Sequence, residues 1–171
     1  TSSCSSRSPI GATIRPAGID DRARASRRLM EFVSCLARHL PLSHVKEIVP
    51  VVSKRTVKLD VNLGRLRKIA QEAAEQSGRG IIPAIHEPVD FHEAMKQAIY
   101  NDANYFFEPG APIFDKGVLR MKGIERVGIF IGTEGGWDPA EVEAAKAQYF
   151  HVSSLGPLVL RAETAAIVAS Y

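Results

Sequence analysis

Two short stretches of this 171-residue chain hold residues whose types and spacing suit chemistry. The first is Ile131-Gly132-Thr133-Glu134-Gly135-Gly136-Trp137. Its paired glycines let backbone approach a ligand closely, and Glu134 can accept hydrogen bonds from hydroxyls or an amine. Taken as bare sequence, it is either a ligand cradle or a Gly-rich turn ahead of a helix. The second stretch runs from Ser154 to Ala166 (SLGPLVLRAETAA). Loops are normally polar, so an apolar loop that ends in Arg161, Glu163 and Thr164 is unusual, and its apolar side chains need a place to bury.

Other chemistries lack their residues. There is no GxxxxGK[ST] for a nucleoside triphosphate and no GxGxxG for a dinucleotide. His86, His92 and His151 form no ligand spacing and no CxxC pair exists, so no metal is expected. Cys35 reads as a core thiol, and Ser153 and Ser154 lack the GxSxG elbow of a nucleophile. Hydrolase and kinase readings fall away.

Both loops need elements to hold them. Apolar residues Leu29, Phe32, Val33, Leu36 and Leu40 repeat at helical spacing up to Pro41. Glu47–Val52 (EIVPVV) reads as one short buried strand, with Pro50 suiting its end or an edge. Leu63, Leu66, Ala70, Ala73 and Ala74 predict a helix over Asn62–Ser77, with Gly78 at a left-handed C-cap and Lys68–Glu72 paired on its exposed side. A strand at Ile81–Ile85, a helix near Asp90–Tyr100 and a strand at Tyr105–Phe107 follow. Val127–Ile131 (VGIFI) is the clearest core strand. Asp138-Pro139-Ala140-Glu141 is a helix start, with an Asp N-cap, a proline in the first turn and an acid at the third position. A helix to about Gln148, a strand at His151–Ser154 and a helix from Thr164 complete an α/β order around a mostly parallel sheet.

At 45% hydrophobic and 24% charged residues, with a mean hydropathy of −0.06, the chain has enough apolar side chain for a core. No run approaches the roughly 18 apolar residues of a membrane span. Cys4 and Cys35 cannot build a disulfide framework, so a reducing, cytoplasmic setting is expected. Residues 1–28 read as a flexible Ser/Arg-rich segment. Such starts also occur in organelle transit segments, although Asp20 and Asp21 are out of character for one. Residues 1–79 carry fifteen Lys and Arg against seven Asp and Glu, whereas residues 80–171 carry seven against twelve. A basic half suits a phosphate-rich partner, and solvated surface charge gives the same count.

IGTEGGWDPAEVEAAK followed by VSSLGPLVLRAETAA resembles the signature pair of the ribosomal small subunit methyltransferase E family, SPOUT-superfamily enzymes that methylate N3 of a uridine in 16S rRNA. The resemblance extends through KEIVPVVSKRTV, KIAQEAAEQSGRGIIPAI and YFFEPGA, over roughly residues 45–171. It implies a SPOUT domain over residues 29–171, a mostly parallel sheet flanked by helices, with a C-terminal deep trefoil knot whose second loop threads through the first. It also implies a homodimer acting on 16S rRNA or the assembled small ribosomal subunit. S-adenosylmethionine would lie at the knot, on Ile131, Gly132, Glu134, Gly135, Gly136, Leu155, Gly156, Leu160 and Thr164, with Phe107 and Glu108 as a third wall. Arg161 would stabilise charge on the uracil carbonyls or grip a phosphate, with Glu163 orienting it, or the two form a structural ion pair. Lys54, Arg55 and Arg79 would face RNA.

The sequence departs from the family in several places. Thr133 stands where the family has Pro, and Leu158 stands where it has Arg, removing a cation from the RNA-facing loop. The family's QKxxELG helix is replaced by SCLARHLPLSHVKEIVP. The family's N-terminal PUA-like barrel is not matched and the last helix stops early, so a fragment is expected. The alternatives are a non-catalytic SPOUT-like RNA-binding or dimerisation module, or a SPOUT methyltransferase of another RNA.

Overall fold

The computed structural model describes residues 45–56, 61–76, 78, 82–115, 117, 123–133 and 135–170. The Ser/Arg-rich start and the helix expected over residues 29–40 lie outside them. The order of elements is β1 (Glu47–Ile48), β2 (Val51–Val52), α1 (Leu63–Gln76), β3 (Ala84–Ile85), β4 (Val89–Asp90), α2 (Phe91–Ala98), β5 (Ala103–Phe107), β6 (Val127–Ile131), α3 (Pro139–Ala147), β7 (His151–Ser153) and α4 (Ala162–Ser170). Among the described residues every strand pairing is parallel: β1 with β3, β2 with β4, and β6-β5-β7 with β5 in the centre. Parallel neighbours need crossovers, which is why helices alternate with strands.

EIVPVV is two strands, not one. Proline has no N–H to give to a ladder, so the pairing changes partner around it. The Ile48 carbonyl accepts from the His86 amide at 3.0 Å, and the Pro50 carbonyl accepts from the Val89 amide at 3.0 Å. The second partner, β4, is only two residues long and has no periodicity to betray it. Helix α1 obeys its pattern: Leu66, Ala70, Ala73 and Ala74 are buried, and Gly78 closes the end with φ +66°. Its Lys68–Glu72 pair is present at 3.9 Å and well exposed, so it contributes little.

The strand at the centre of the molecule is β5, not β6. In β5, Ala103, Tyr105, Phe106 and Phe107 are all buried, whereas β6 forms one edge of its sheet and leaves Val127 and Ile129 exposed. A charge-free run of five looks the same in sequence whether or not a neighbour covers it. Helix α4 covers part of β6, where Ala166 and Ile167 meet Ile131 and Ile48. The main core gathers Phe91, Met95 and Ala98 of α2, Phe106, Trp137, Ala145 and Phe150. Phe106 is fully buried, with its ring centroid 4.5 Å from that of Trp137 and 6.2 Å from that of Phe91.

Gly128 makes the start of β5 possible. The Asn101 amide donates to Asn104 Oδ1 at 2.8 Å, and Asn104 donates to the Ala98 carbonyl at 2.8 Å, tying the end of α2 to β5. A Cβ on Gly128 would fall on Asn104 Oδ1 and 2.6 Å from Asn101 Nδ2. Gly128→Ala should therefore lower stability by about 1–3 kcal/mol through overpacking. The check is the urea midpoint at unchanged slope, and a midpoint equal to the parent's would contradict this packing.

Candidate functional site

Phe107 pairs with Ile131 on one side and with Ser153 on the other, so β5, β6 and β7 end level with one another. The chain therefore leaves the sheet three times from one carboxyl edge, where parallel sheets bind their ligands. Side chains of Phe107, Ile131 and Leu155 meet in one cluster just below that edge. The ladder is prolonged past β7: Ser154 is buried, its amide donates to the Pro112 carbonyl at 2.7 Å, and its carbonyl accepts from the Phe114 amide at 2.8 Å.

The Gly-rich loop is held at both ends. Its Gly136 amide donates to the Thr133 carbonyl at 2.8 Å, with Gly136 at φ +66°. The Trp137 indole then turns inward and donates to the Phe107 carbonyl at 3.1 Å. A Cβ on Gly132 would sit 3.0 Å from that indole nitrogen, so a side chain there would press tightly on Trp137. Beyond Trp137, Asp138 caps α3 through the Ala140 amide, and Glu141 completes a capping box by accepting from the Asp138 amide at 2.9 Å.

A third loop, Ser53–Thr56, docks onto this helix start. The buried Glu141 uses its second oxygen to accept from the Lys54 amide at 2.8 Å. Lys54 Nζ lies 3.1 Å from Asp138, and Arg55 donates to the Gly135 carbonyl at 2.7 Å. The Ala140 amide first, and the Lys54 ammonium after it, hold the Asp138 carboxyl below the ordinary carboxylate range. Arg55, Glu108, Trp137, Pro139, Val142 and Glu143 line a cleft of about 270 Å³ beside this junction. Glu108, one of the lining residues, has its Oε2 shielded from solvent and without a hydrogen-bond partner.

The chain matches the RNA methyltransferase domain family over residues 43–171. It belongs to that family. Among its relatives, it is 31% identical over 131 residues to ribosomal RNA small subunit methyltransferase E of Mesomycoplasma hyopneumoniae, covering 72% of this chain and 55% of that protein. The enzyme of the same name from Synechocystis is 28% identical over 186 residues, covering 93% and 61%. A Legionella pneumophila methyltransferase, solved with the bound cofactor S-adenosylmethionine, superposes with a TM-score of 0.69 at 26% identity, over 84% of this chain and 59% of that one. The resemblance to the small subunit methyltransferase E family therefore extends beyond the two loops. This chain spans a little over half the length of its first relative.

The methyltransferase domain brings many of the expected residues to the carboxyl edge. Phe107 is buried there, with Glu108, Ile131, Gly132, Gly136, Leu155, Gly156 and Leu160 half-buried and Gly135 exposed. Helix α4 begins at Ala162, earlier than Thr164, so Glu163 lies in its first turn and the Arg161 carbonyl accepts from the Ala165 amide at 2.8 Å. Arg161 and Thr164 are exposed, and among the described residues Arg161 and Glu163 form no ion pair. Not every apolar side chain of the second loop finds cover: Leu158 is 76% and Val159 79% exposed. Lys54 and Arg55, expected to face RNA, both reach the Gly-rich loop and its helix. Glu134 and Arg79 lie outside the described residues. Among the described residues no three of His, Cys, Asp and Glu converge as a metal site, and no helix is long and apolar enough to cross a membrane.

Glu141 is the functional-site residue that sequence reasoning missed as more than a cap, because its second partner is 87 residues away. Glu141→Ala should lower stability by about 1.5–3 kcal/mol through loss of charge-assisted hydrogen bonds and should speed amide exchange at Lys54. Glu141→Gln, which keeps an oxygen acceptor, should recover part of both, and an alanine variant as stable as the parent would contradict the junction.

The depressed Asp138 carboxyl also sets a pH dependence. A group whose folded pKa lies below its unfolded value stabilises fully above the unfolded value and loses that contribution as pH falls through the folded one. Asp138→Asn should therefore flatten part of the decline in urea midpoint through the acid range. An unchanged pH profile in that variant would show that Asp138 gains nothing from Ala140 and Lys54.

Proposed function

We propose that this domain transfers a methyl group from S-adenosylmethionine to N3 of a uridine in the 16S rRNA of the small ribosomal subunit, in the cytoplasm. One observation carries the reading: in a chain of this family, the Gly-rich loop and the Leu155–Arg161 loop leave the same carboxyl edge of a parallel sheet. The residues there suit the cofactor. Gly135 offers exposed backbone, Gly136 and Gly156 take left-handed φ of +66° and +137°, and Leu155 and Leu160 supply apolar surface for an adenine. Phe107, Glu108, Ile131, Gly132, Glu134 and Thr164 complete the proposed surroundings.

When bound, S-adenosylmethionine supplies a methyl carbon already activated by its sulfonium. The chain's own part is to hold the acceptor in line and favour loss of the N3 proton. Arg161, exposed at the start of α4, would stabilise the negative charge that spreads to the uracil carbonyls. Glu163, one turn-position inside the helix, orients it once substrate is present. The proposal includes the deep trefoil knot, with the second loop threaded through the first, and a homodimer. Leu158 and Val159, exposed at the second loop, are apolar surface that a second copy would cover. The same exposed Leu158, where the family has an arginine, favours a second reading as a non-catalytic dimerisation module. Lys54, Arg55 and Arg79 would contribute to RNA contact, although Lys54 and Arg55 also brace the cofactor loop.

Calorimetry and single-turnover methyl transfer on the whole protein test both readings. A Cβ on Gly135 meets nothing closer than Arg55 Cβ at 3.7 Å, so Gly135→Val should fold as the parent does yet lose at least tenfold in S-adenosylmethionine affinity. Arg161→Ala should bind the cofactor within about twofold of the parent and turn over about 10²–10³ more slowly. A parent with no cofactor affinity would leave the non-catalytic reading standing. Unchanged turnover in Arg161→Ala would reduce that arginine to a structural role.

A further inference from the structure

We propose that the amino edge of the β6-β5-β7 sheet, at the end away from the cofactor loops, is a stacking platform for unpaired bases of an RNA strand, formed by Tyr100 and Tyr149. The inference rests on the RNA part of the proposed function and concerns how RNA is held, not which nucleotide is methylated. Tyr100 lies just ahead of β5 and Tyr149 just ahead of β7. Those strands are parallel neighbours, and α2 and α3 share one core, so the ends of both helices come to the same edge of the sheet. Tyr100 is 75% exposed there and Tyr149 is 91% exposed.

Tyr149 stands where a glycine would be favoured. The Phe150 amide donates to the Ala145 carbonyl at 3.0 Å to close the end of α3, and the residue between helix and strand takes φ +60°, a conformation unfavourable for any side chain with a Cβ. Among the described residues no other non-glycine residue has a positive φ. The ring gains no packing in return, being almost wholly in solvent. A strained backbone that presents an uncovered aromatic ring is not explained by the fold's own contacts, and points to a partner outside it.

The surroundings favour RNA as that partner. A lysine stands one helical turn before each ring, Lys96 before Tyr100 and Lys146 before Tyr149. Their ion pairs with Glu93 at 3.9 Å and Glu143 at 2.8 Å are exposed, so they hold the ammonium groups weakly. Arg126 is exposed just ahead of β6, while the Asp102 carboxylate is taken up by the Glu125 and Arg126 amides at 2.8 Å each. An aromatic face with a cation one turn away, repeated on two helices, matches the base and phosphate of a single strand. The five residues of β5 separate the two edges of the sheet by roughly 16 Å, so a base on these rings is not the one at the cofactor loops.

The probes are an end-labelled single-stranded oligouridylate and a duplex RNA, read by fluorescence anisotropy with the whole protein. Tyr149→Gly should hold or raise the urea midpoint, because glycine accepts the left-handed φ, and yet weaken oligouridylate binding at least about fivefold. Tyr100→Ala should weaken it to a similar degree, and Tyr149→Phe, which keeps the ring, should stay within about twofold of the parent. Duplex bases are already stacked, so duplex affinity should stay within about twofold in all three variants. The same holds for S-adenosylmethionine affinity by calorimetry, since neither tyrosine lies among the residues proposed for the cofactor.

A parent that binds no oligouridylate, parental oligouridylate affinity in Tyr149→Gly and Tyr100→Ala, or equal losses on duplex and single strand would each overturn the platform. So would a self-association of the parent, seen by sedimentation, that Tyr149→Gly abolishes while RNA affinity is unchanged, because the edge would then meet a second copy. Loss of oligouridylate affinity in the variants of a parent that binds no S-adenosylmethionine would sink the methyltransferase reading and leave the platform standing. Uridine methylation by a parent whose tyrosine variants keep full RNA affinity would do the reverse.

Discussion

The hydrogen bond from the Trp137 indole to the Phe107 carbonyl closes the Gly-rich loop against the end of the central strand. It is buried, so neither partner has water as an alternative, and its geometry dictates the rest of the loop. The indole lies against Phe106 at 4.5 Å and Phe91 at 5.8 Å between ring centroids, which joins β5, α2 and the loop in one aromatic core. Gly132 lies tight against the ring, leaving little room for a side chain. Asp138 follows immediately and starts α3, so the ring position also determines where that helix begins.

Charge completes what the indole begins. The basic first half and acidic second half of the sequence suggest a surface for phosphates, but part of that asymmetry is consumed inside the molecule. Lys54 meets Asp138, Arg55 meets the Gly135 carbonyl, and the buried Glu141 accepts from the Lys54 and Asp138 amides together. Both oxygens of Glu141 are thus satisfied, the condition under which a buried carboxylate is tolerable. Three separate contacts thereby join the Ser53–Thr56 loop, which belongs to the β1/β2 segment, to the Gly-rich loop and the start of α3.

Parallel pairing places these loops together. With β5 central and β6 and β7 on either side, the three carboxyl ends share one edge, and whatever follows each strand is delivered to the same place. The loop after β7 leaves Leu158 and Val159 in solvent, while Leu155 packs beneath the edge.

Local features were legible in the sequence because their causes lie within a few residues. Asp138, Pro139 and Glu141 cap α3 as their types require, Gly78 ends α1, and the burial of Leu66, Ala70, Ala73 and Ala74 follows their spacing. The parallel α/β class was equally readable. What only the tertiary structure decided involves partners far apart in the chain. Pro50 divides EIVPVV between two strand partners, one of them the two-residue β4. VGIFI lies at an edge because nothing pairs with its far side among the described residues. Arg55 reaches Gly135 across 80 residues, and Glu141 reaches Lys54 across 87. A residue's type and spacing specify which backbone geometry it favours and which face it can bury. Which distant donor fills an acceptor, or leaves Glu108 Oε2 without one, is settled only when the strands have packed.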